Sequence, residues 1–228
     1  LHVSASIVTA ASPAMLAEFP FPFRLTVTYT LAEAGLALAA EVTNLGEGPL
    51  PFGLGIHPYF PLPLSKGSRA EEHTVHANLG QLARMPADLS SVGFVEPERV
   101  LDLRRGPSVA EILQASPKPA GASLYVLYGE ENALGTGGSG KGAGVKWSLR
   151  EAQGRARVSV EADGDFRVLL LYAPAEPTVI SPVIATCLPN AFNLAAAGYP
   201  AGLIELEPGT TWRGRARIAF YLGAENAQ

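Results

Sequence analysis

Residues 24–31 read Arg-Leu-Thr-Val-Thr-Tyr-Thr-Leu, and residues 36–42 read Leu-Ala-Leu-Ala-Ala-Glu-Val. In the first stretch Leu25, Val27, Tyr29 and Leu31 alternate with Arg24, Thr26, Thr28 and Thr30, the period of a strand with one buried face. In the second, Leu36, Leu38, Ala40 and Val42 repeat the period after a turn at residues 32–35, which predicts a hairpin. The same signal recurs along the chain. Residues 1–9 read as a strand. Val158 and Val160 run into Asp163-Gly164, a turn signal, and Phe166, Val168, Leu170 and Tyr172 follow as a return strand. Arg213, Arg215 and Arg217 alternate with Trp212, Gly214, Ala216 and Ile218, which points the arginines at water. The 24 glycines and 19 prolines are spread throughout and punctuate many short elements. Residues 108–114 form the one helix candidate, of two turns at most. The expected fold is all-β, a sandwich or barrel.

Composition narrows the function classes. The chain has 228 residues, a length that fits a single β domain with a core large enough to fold without staples. Its formal net charge of −4 provides neither the basic excess nor the basic stripe that phosphate backbones select. Cys187 is the single cysteine, so neither an internal disulfide nor a cysteine-built zinc site can form. No apolar run approaches the ~18–20 residues that span a bilayer. The reading is a cytoplasmic protein, monomer or homodimer, with no nucleic-acid or membrane partner.

Three motifs bear on chemistry. Residues 135–144, GTGGSGKGAG, match a phosphate-binding loop through Lys141, but Gly142 follows where Ser or Thr would hold Mg²⁺. The next residues read as strand rather than helix, so the segment is expected to be a loop between strands that binds no nucleotide. His73 and His76 have a spacing that suits metal on a helix, yet their surroundings read as extended, where residues three apart face opposite ways. With no third ligand nearby they are expected to be surface histidines, and no metal site is assigned. The sharpest segment is Pro51-Phe-Gly-Leu-Gly-Ile-His57-Pro-Tyr59-Phe. Two glycines before His57 and a proline after it fix the backbone around an imidazole. That suits either acid–base catalysis or a buried structural histidine.

This segment closely resembles the "PfgxGxHPyF" stretch of the aldose 1-epimerases, the galactose mutarotase-like proteins. Phe19-Pro-Phe-Pro-Phe-Arg-Leu-Thr-Val-Thr-Tyr29 is similar to that family's "yPfpfxlxvxY" strand, and Glu41-Val-Thr-Asn44 to its "vxN" strand end. Further on, residues 166–174 with Ala191-Phe-Asn-Leu194 resemble "FxxvvvytP…dAfnL". Residues 202–209 resemble the closing "GlxxLxPG". The resemblance implies an antiparallel β-supersandwich and mutarotation, the interconversion of the α and β anomers of an aldose. That reaction moves only protons and needs no cofactor. It also implies His57 as the general acid and Tyr59 as a sugar contact.

The departures from the pattern are specific. The family's base is a Glu in an "EPxT" stretch, and here the region reads Thr178-Val-Ile-Ser181-Pro182-Val183. Aligned on the proline, Ser181 takes the Glu position; aligned on Ala191-Phe-Asn193, Val183 takes it. Neither is a carboxylate. Glu176 has the right residue type and is the replacement candidate for the base. The family's sugar-binding Asp falls near Ser123-Leu-Tyr125, where no Asp stands. His2 lacks the "HG" context of a further sugar-site histidine, and the chain is expected to lack the family's N-terminal segment. Two functions follow: an aldose 1-epimerase that interconverts α and β anomers by acid–base ring opening, its activity open to reduction or loss where the family Glu is missing, or a non-catalytic carbohydrate-binding relative that has lost its base.

Overall fold

The computed structural model describes residues 1–79, 81–83, 102–115, 122–128 and 144–223, with the backbone alone at 81–83 and 122–128. The N-terminal part is built from β1 (His2–Val8), α1 (Pro13–Glu18), β2 (Phe23–Ala32) and β3 (Gly35–Asn44). Short strands follow: β4 (Leu50–Phe52), β5 (Gly55–Ile56), β6 (Phe60–Pro61), β7 (Thr74–Ala77) and β8 (Gln81–Ala83). Beyond them lie α2 (Val109–Ala115), β9 (Ala122–Tyr128), β10 (Lys146–Arg150) and β11 (Ala156–Ala162). The C-terminal part holds β12 (Val168–Pro174), β13 (Val179–Ala185), α3 (Ala191–Ala196), β14 (Ile204–Leu206) and β15 (Thr211–Leu222).

The strands form two main antiparallel sheets. The larger has the order β1-β2-β3-β15-β11-β10-β7, and the smaller β5-β13-β12-β9-β8, with β6 also pairing β13. A separate pair joins β14 to β4. Between the sheets lies a core of Val42, Val75, Trp147, Leu149, Val158 and Val160 from the larger, and Leu169, Leu171, Ile180 and Ile184 from the smaller. Each large side chain fully buried here stabilises the fold by roughly 1.5–3 kcal/mol. The fold class is the expected one.

The β2–β3 hairpin forms where the alternation places it, in register from Phe23↔Asn44 to Ala32↔Gly35. Gly35 closes the turn at φ +122, and a Cβ there would sit 2.1 Å from the Ile218 carbonyl oxygen. Only glycine meets both demands. The arginines of β15 are exposed as expected. The helix read at 108–114 is α2, opened by a capping box: the Glu111 N–H donates to Ser108 Oγ, and the Ser108 N–H to Glu111 Oε2.

Other expectations need correction. The strands on either side of Asp163-Gly164 do not pair with each other: β11 lies between β10 and β15, and β12 between β9 and β13. The turn carries the chain from one sheet to the other, with Phe166 fully buried beneath it. The cause shows in β12, where Val168, Leu169, Leu170 and Leu171 are all buried. A strand covered on both faces reads as a continuous apolar run, which period-two counting cannot place in a sheet. His73 is fully buried rather than on the surface. Its ring nitrogens are both partnered: Nδ1 with the Arg69 carbonyl at 2.9 Å, and Nε2 with the Leu64 N–H at 3.1 Å. The carbonyl only accepts, so Nδ1 donates and Nε2 accepts. Two helices were not read from the sequence. Helix α1 begins with Ser12 capping ahead of Pro13, and α3 covers Ala191–Ala196. Of the expected loop at 135–144, all but Gly144 lies outside the described residues.

Candidate active site

The segment around His57 owes its shape to two prolines. Strand β5 pairs β13 through Ile56↔Ile184 and Gly55↔Ala185, and β6 pairs it through Phe60↔Ile180 and Pro61↔Val179. Both pairings keep one register, so Pro58 stands opposite Pro182. Neither residue has an N–H to give, and the ladder lapses there. A side chain restores one bond, since the Ser181 hydroxyl donates to the Pro58 carbonyl at 2.7 Å. Thr186 secures the other flank, accepting from the Leu54 N–H at 3.0 Å on its Oγ1 while its own N–H donates to the Leu54 carbonyl.

Side-chain alternation then sorts the residues. Ile56, Phe60, Ile180 and Ile184 belong to the main core, so His57, Tyr59, Ser181 and Val183 share the opposite face of the sheet. Both sequence alignments of the missing carboxylate therefore land on this face. Val183 is opposite His57 in the register, and Ser181 is opposite Tyr59. It is Ser181 that contacts the imidazole: its Oγ lies 2.8 Å from His57 Nδ1. Tyr59 stacks on the His57 ring with centroids 4.7 Å apart and an interplanar angle of 8°. Its hydroxyl is 3.5 Å from Nε2. Tyr172 of β12 meets Tyr59 edge-on at 6.1 Å.

His57 and Tyr59 are exposed, which removes the reading of His57 as a buried structural histidine. A cavity of about 370 Å³ borders His57 and Pro58, walled by Val27, Leu38 and Ile218 of the larger sheet. Among its described lining residues the other titratable one is Tyr29. The arrangement can present an imidazole nitrogen and two phenol rings to a small polar ligand.

The remaining site candidates are not gathered here. Glu176 is exposed in the β12–β13 connection, and among the described residues no hydrogen bond or ion pair joins its carboxylate to His57 or Tyr59. Ser123-Leu-Tyr125 falls on β9, whose backbone pairs Leu124 with Tyr172. Among the described residues no three His, Cys, Asp or Glu side chains converge as a metal site would require. Sequence reasoning named Ser181 only as the position of a lost carboxylate. Its contact with His57 follows from the common register of β5 and β6 on β13, which no local motif encodes.

The family model for aldose 1-epimerase matches residues 2–219. The chain belongs to the aldose 1-epimerase family. Among the solved structures of that fold, a galactose mutarotase-like protein from Clostridium acetobutylicum superposes with a TM-score of 0.73 at 16% identity, covering 97% of this chain and 62% of that one. Galactose 1-epimerase from Lactobacillus acidophilus superposes with a TM-score of 0.65 at 17% identity, covering 97% and 63%. The curated protein LacX of Lactococcus lactis is 29% identical over 99 residues, 39% of this chain and 33% of its own length. The chain thus spans less than two thirds of these relatives. Family membership fits the β architecture. Among the described residues no helix is long and apolar enough to cross a membrane.

Proposed function

We propose that this chain binds an aldose on the face bearing His57, Tyr59 and Tyr172 and interconverts its α and β anomers. His57 is the general acid that protonates the ring oxygen, and Tyr59 is a sugar contact. The observation that supports this best is the environment of His57: an exposed imidazole whose Nδ1 is tied to a buried hydroxyl and whose ring is braced by Tyr59. Such bracing leaves Nε2 as the free working atom and holds it in one direction, as proton transfer requires. Ring opening takes a proton from the anomeric hydroxyl and delivers one to the ring oxygen. The C1–C2 bond rotates, and closure on the other face gives the second anomer. No cofactor enters.

A specific observation supports the second reading, a carbohydrate-binding relative without turnover. Neither Ser181 nor Val183 is a carboxylate, and among the described residues no hydrogen bond or ion pair joins Glu176 to His57 or Tyr59. A positioned acid–base group contributes about 10²–10⁴-fold, so losing one slows the reaction without destroying the binding face. Titration of glucose and galactose into the protein, followed by NMR, separates the readings when run beside polarimetry of freshly dissolved α anomers. Binding with faster relaxation supports the epimerase; binding without it supports the relative. No binding of either sugar removes both as readings for these aldoses.

A further inference from the structure

Ser181 is fully buried and its hydroxyl touches two acceptor-capable atoms, His57 Nδ1 at 2.8 Å and the Pro58 carbonyl at 2.7 Å. A hydroxyl has one hydrogen. Were it aimed at Nδ1, the lone pairs of Oγ and of the Pro58 oxygen would face each other at 2.7 Å with nothing between them. The hydrogen therefore belongs to the Pro58 carbonyl, and Nδ1 must be the donor to Oγ. This holds for the neutral imidazole and for the imidazolium alike, so Nε2 is the atom that gains and loses the proton. Nε2 faces the exposed side, and the Tyr59 hydroxyl at 3.5 Å is too distant to hold it strongly.

We propose that Ser181 is a positioning residue that holds His57 in its Nδ1–H form, and that the imidazole so held carries the anomeric proton to the ring oxygen by itself, in place of the missing carboxylate. This rests on the mutarotase reading of the site. The steps balance on one nitrogen. Neutral Nε2 takes the proton of the anomeric hydroxyl, and the electrons left on that oxygen form the C1 carbonyl as the C1–O5 bond breaks. The pair from that bond goes to O5, which takes the proton back from Nε2. The imidazole ends neutral, and closure runs the same steps in reverse. Because O1 and O5 are both bonded to C1, one nitrogen can serve both. Among the described residues, the titratable groups at His57 are Tyr59 on its own segment, Tyr172 behind Tyr59 on β12, and Tyr29 of β2, which lines the same cavity. None of these is a carboxylate.

The test is nitrogen NMR of the His57 ring in the wild-type protein and in Ser181→Ala, together with polarimetric kinetics of both and of Ser181→Thr. The wild-type spectrum should show Nδ1 protonated and Nε2 bare, and Ser181→Ala should shift the ring toward the other tautomer. The alanine variant should lower kcat about 10–100-fold with KM little changed, and the threonine variant, which keeps the hydroxyl, should recover most of it. Wild-type kcat should rise with pH through a single ionisation and then level. A wild-type ring protonated on Nε2 overturns the positioning role even if the protein is active. A bell-shaped profile reveals a second group and overturns the single-residue shuttle. The expected tautomer without acceleration of any aldose overturns the shuttle and the mutarotase reading while the role of Ser181 stands.

Discussion

The buried carboxylate of Glu151 shows how a single side chain fixes a loop. Burial alone pushes its pKa up, but the hydrogen bond from Ser65 and the Arg155 guanidinium beside it outweigh that and leave it below the ordinary value. The charged form is therefore favoured by folding. Its contribution is present above the unfolded-chain value of about 4.3 and lost as pH falls through the lower folded value. Glu151→Gln should cost roughly 1–3 kcal/mol at neutral pH, since its donors lose their charged partner, and the difference should shrink below about pH 4. Urea unfolding at pH 7 and at pH 3 checks this; an equal penalty at both pH values would be the contrary result. Near the site, Tyr59 stacks on His57 and is 56% exposed, so its ring has a free side for a ligand. Tyr59→Ala should weaken aldose binding about tenfold, roughly the 1.4 kcal/mol expected of one lost aromatic contact. An unchanged affinity by NMR titration would remove Tyr59 from the site. At this scale the sequence pointed to His57 and Tyr59 because a compact motif carries them. The role of Ser181 was not legible, because its partner lies 124 positions away.

At the level of elements, the turn between β2 and β3 gives the sharpest expectation. Gly35→Ala must place a Cβ against the Ile218 carbonyl at a backbone angle that L residues rarely adopt. It should destabilise the fold by about 1–3 kcal/mol or more, and Gly154→Ala, at φ +72 with open space around it, should cost less. Thermal unfolding of the two variants compares them directly; an equal loss would mean that the contact with β15 carries no weight. This hairpin was readable because its strands are half-buried and alternate cleanly. The crossing between β11 and β12 was not, because a strand buried on both faces has no period to read. His73 escaped for a related reason: the partners that make its burial tolerable are backbone groups of Leu64 and Arg69, which carry no sequence signal.

Across the whole molecule, the two sheets differ in extent. The larger has seven strands, and several apolar side chains on its inner face are exposed: Val3 of β1 is 58% exposed, Leu31 of β2 53% and Phe220 of β15 60%. Exposed apolar side chains of this kind should bind a hydrophobic dye in the folded state. Replacing Val3 and Phe220 by Ser should reduce the dye fluorescence without lowering the unfolding temperature by more than a few degrees. Undiminished fluorescence would place the dye elsewhere. The smaller sheet does the opposite. Both of its faces are used, one for the main core and the other for His57, Tyr59 and Ser181 beside a second cluster under α3. The proposed chemistry depends on that division, because the face that holds Ile56 and Phe60 in the core turns His57 and Tyr59 outward. The most direct test is polarimetric relaxation of freshly dissolved α-D-glucose and α-D-galactose by wild-type protein and by His57→Asn, corrected for the spontaneous rate. The wild type should accelerate relaxation modestly and His57→Asn should show the uncatalysed rate; an acceleration that survives in His57→Asn, or none by the wild type with any aldose, would contradict a catalytic His57.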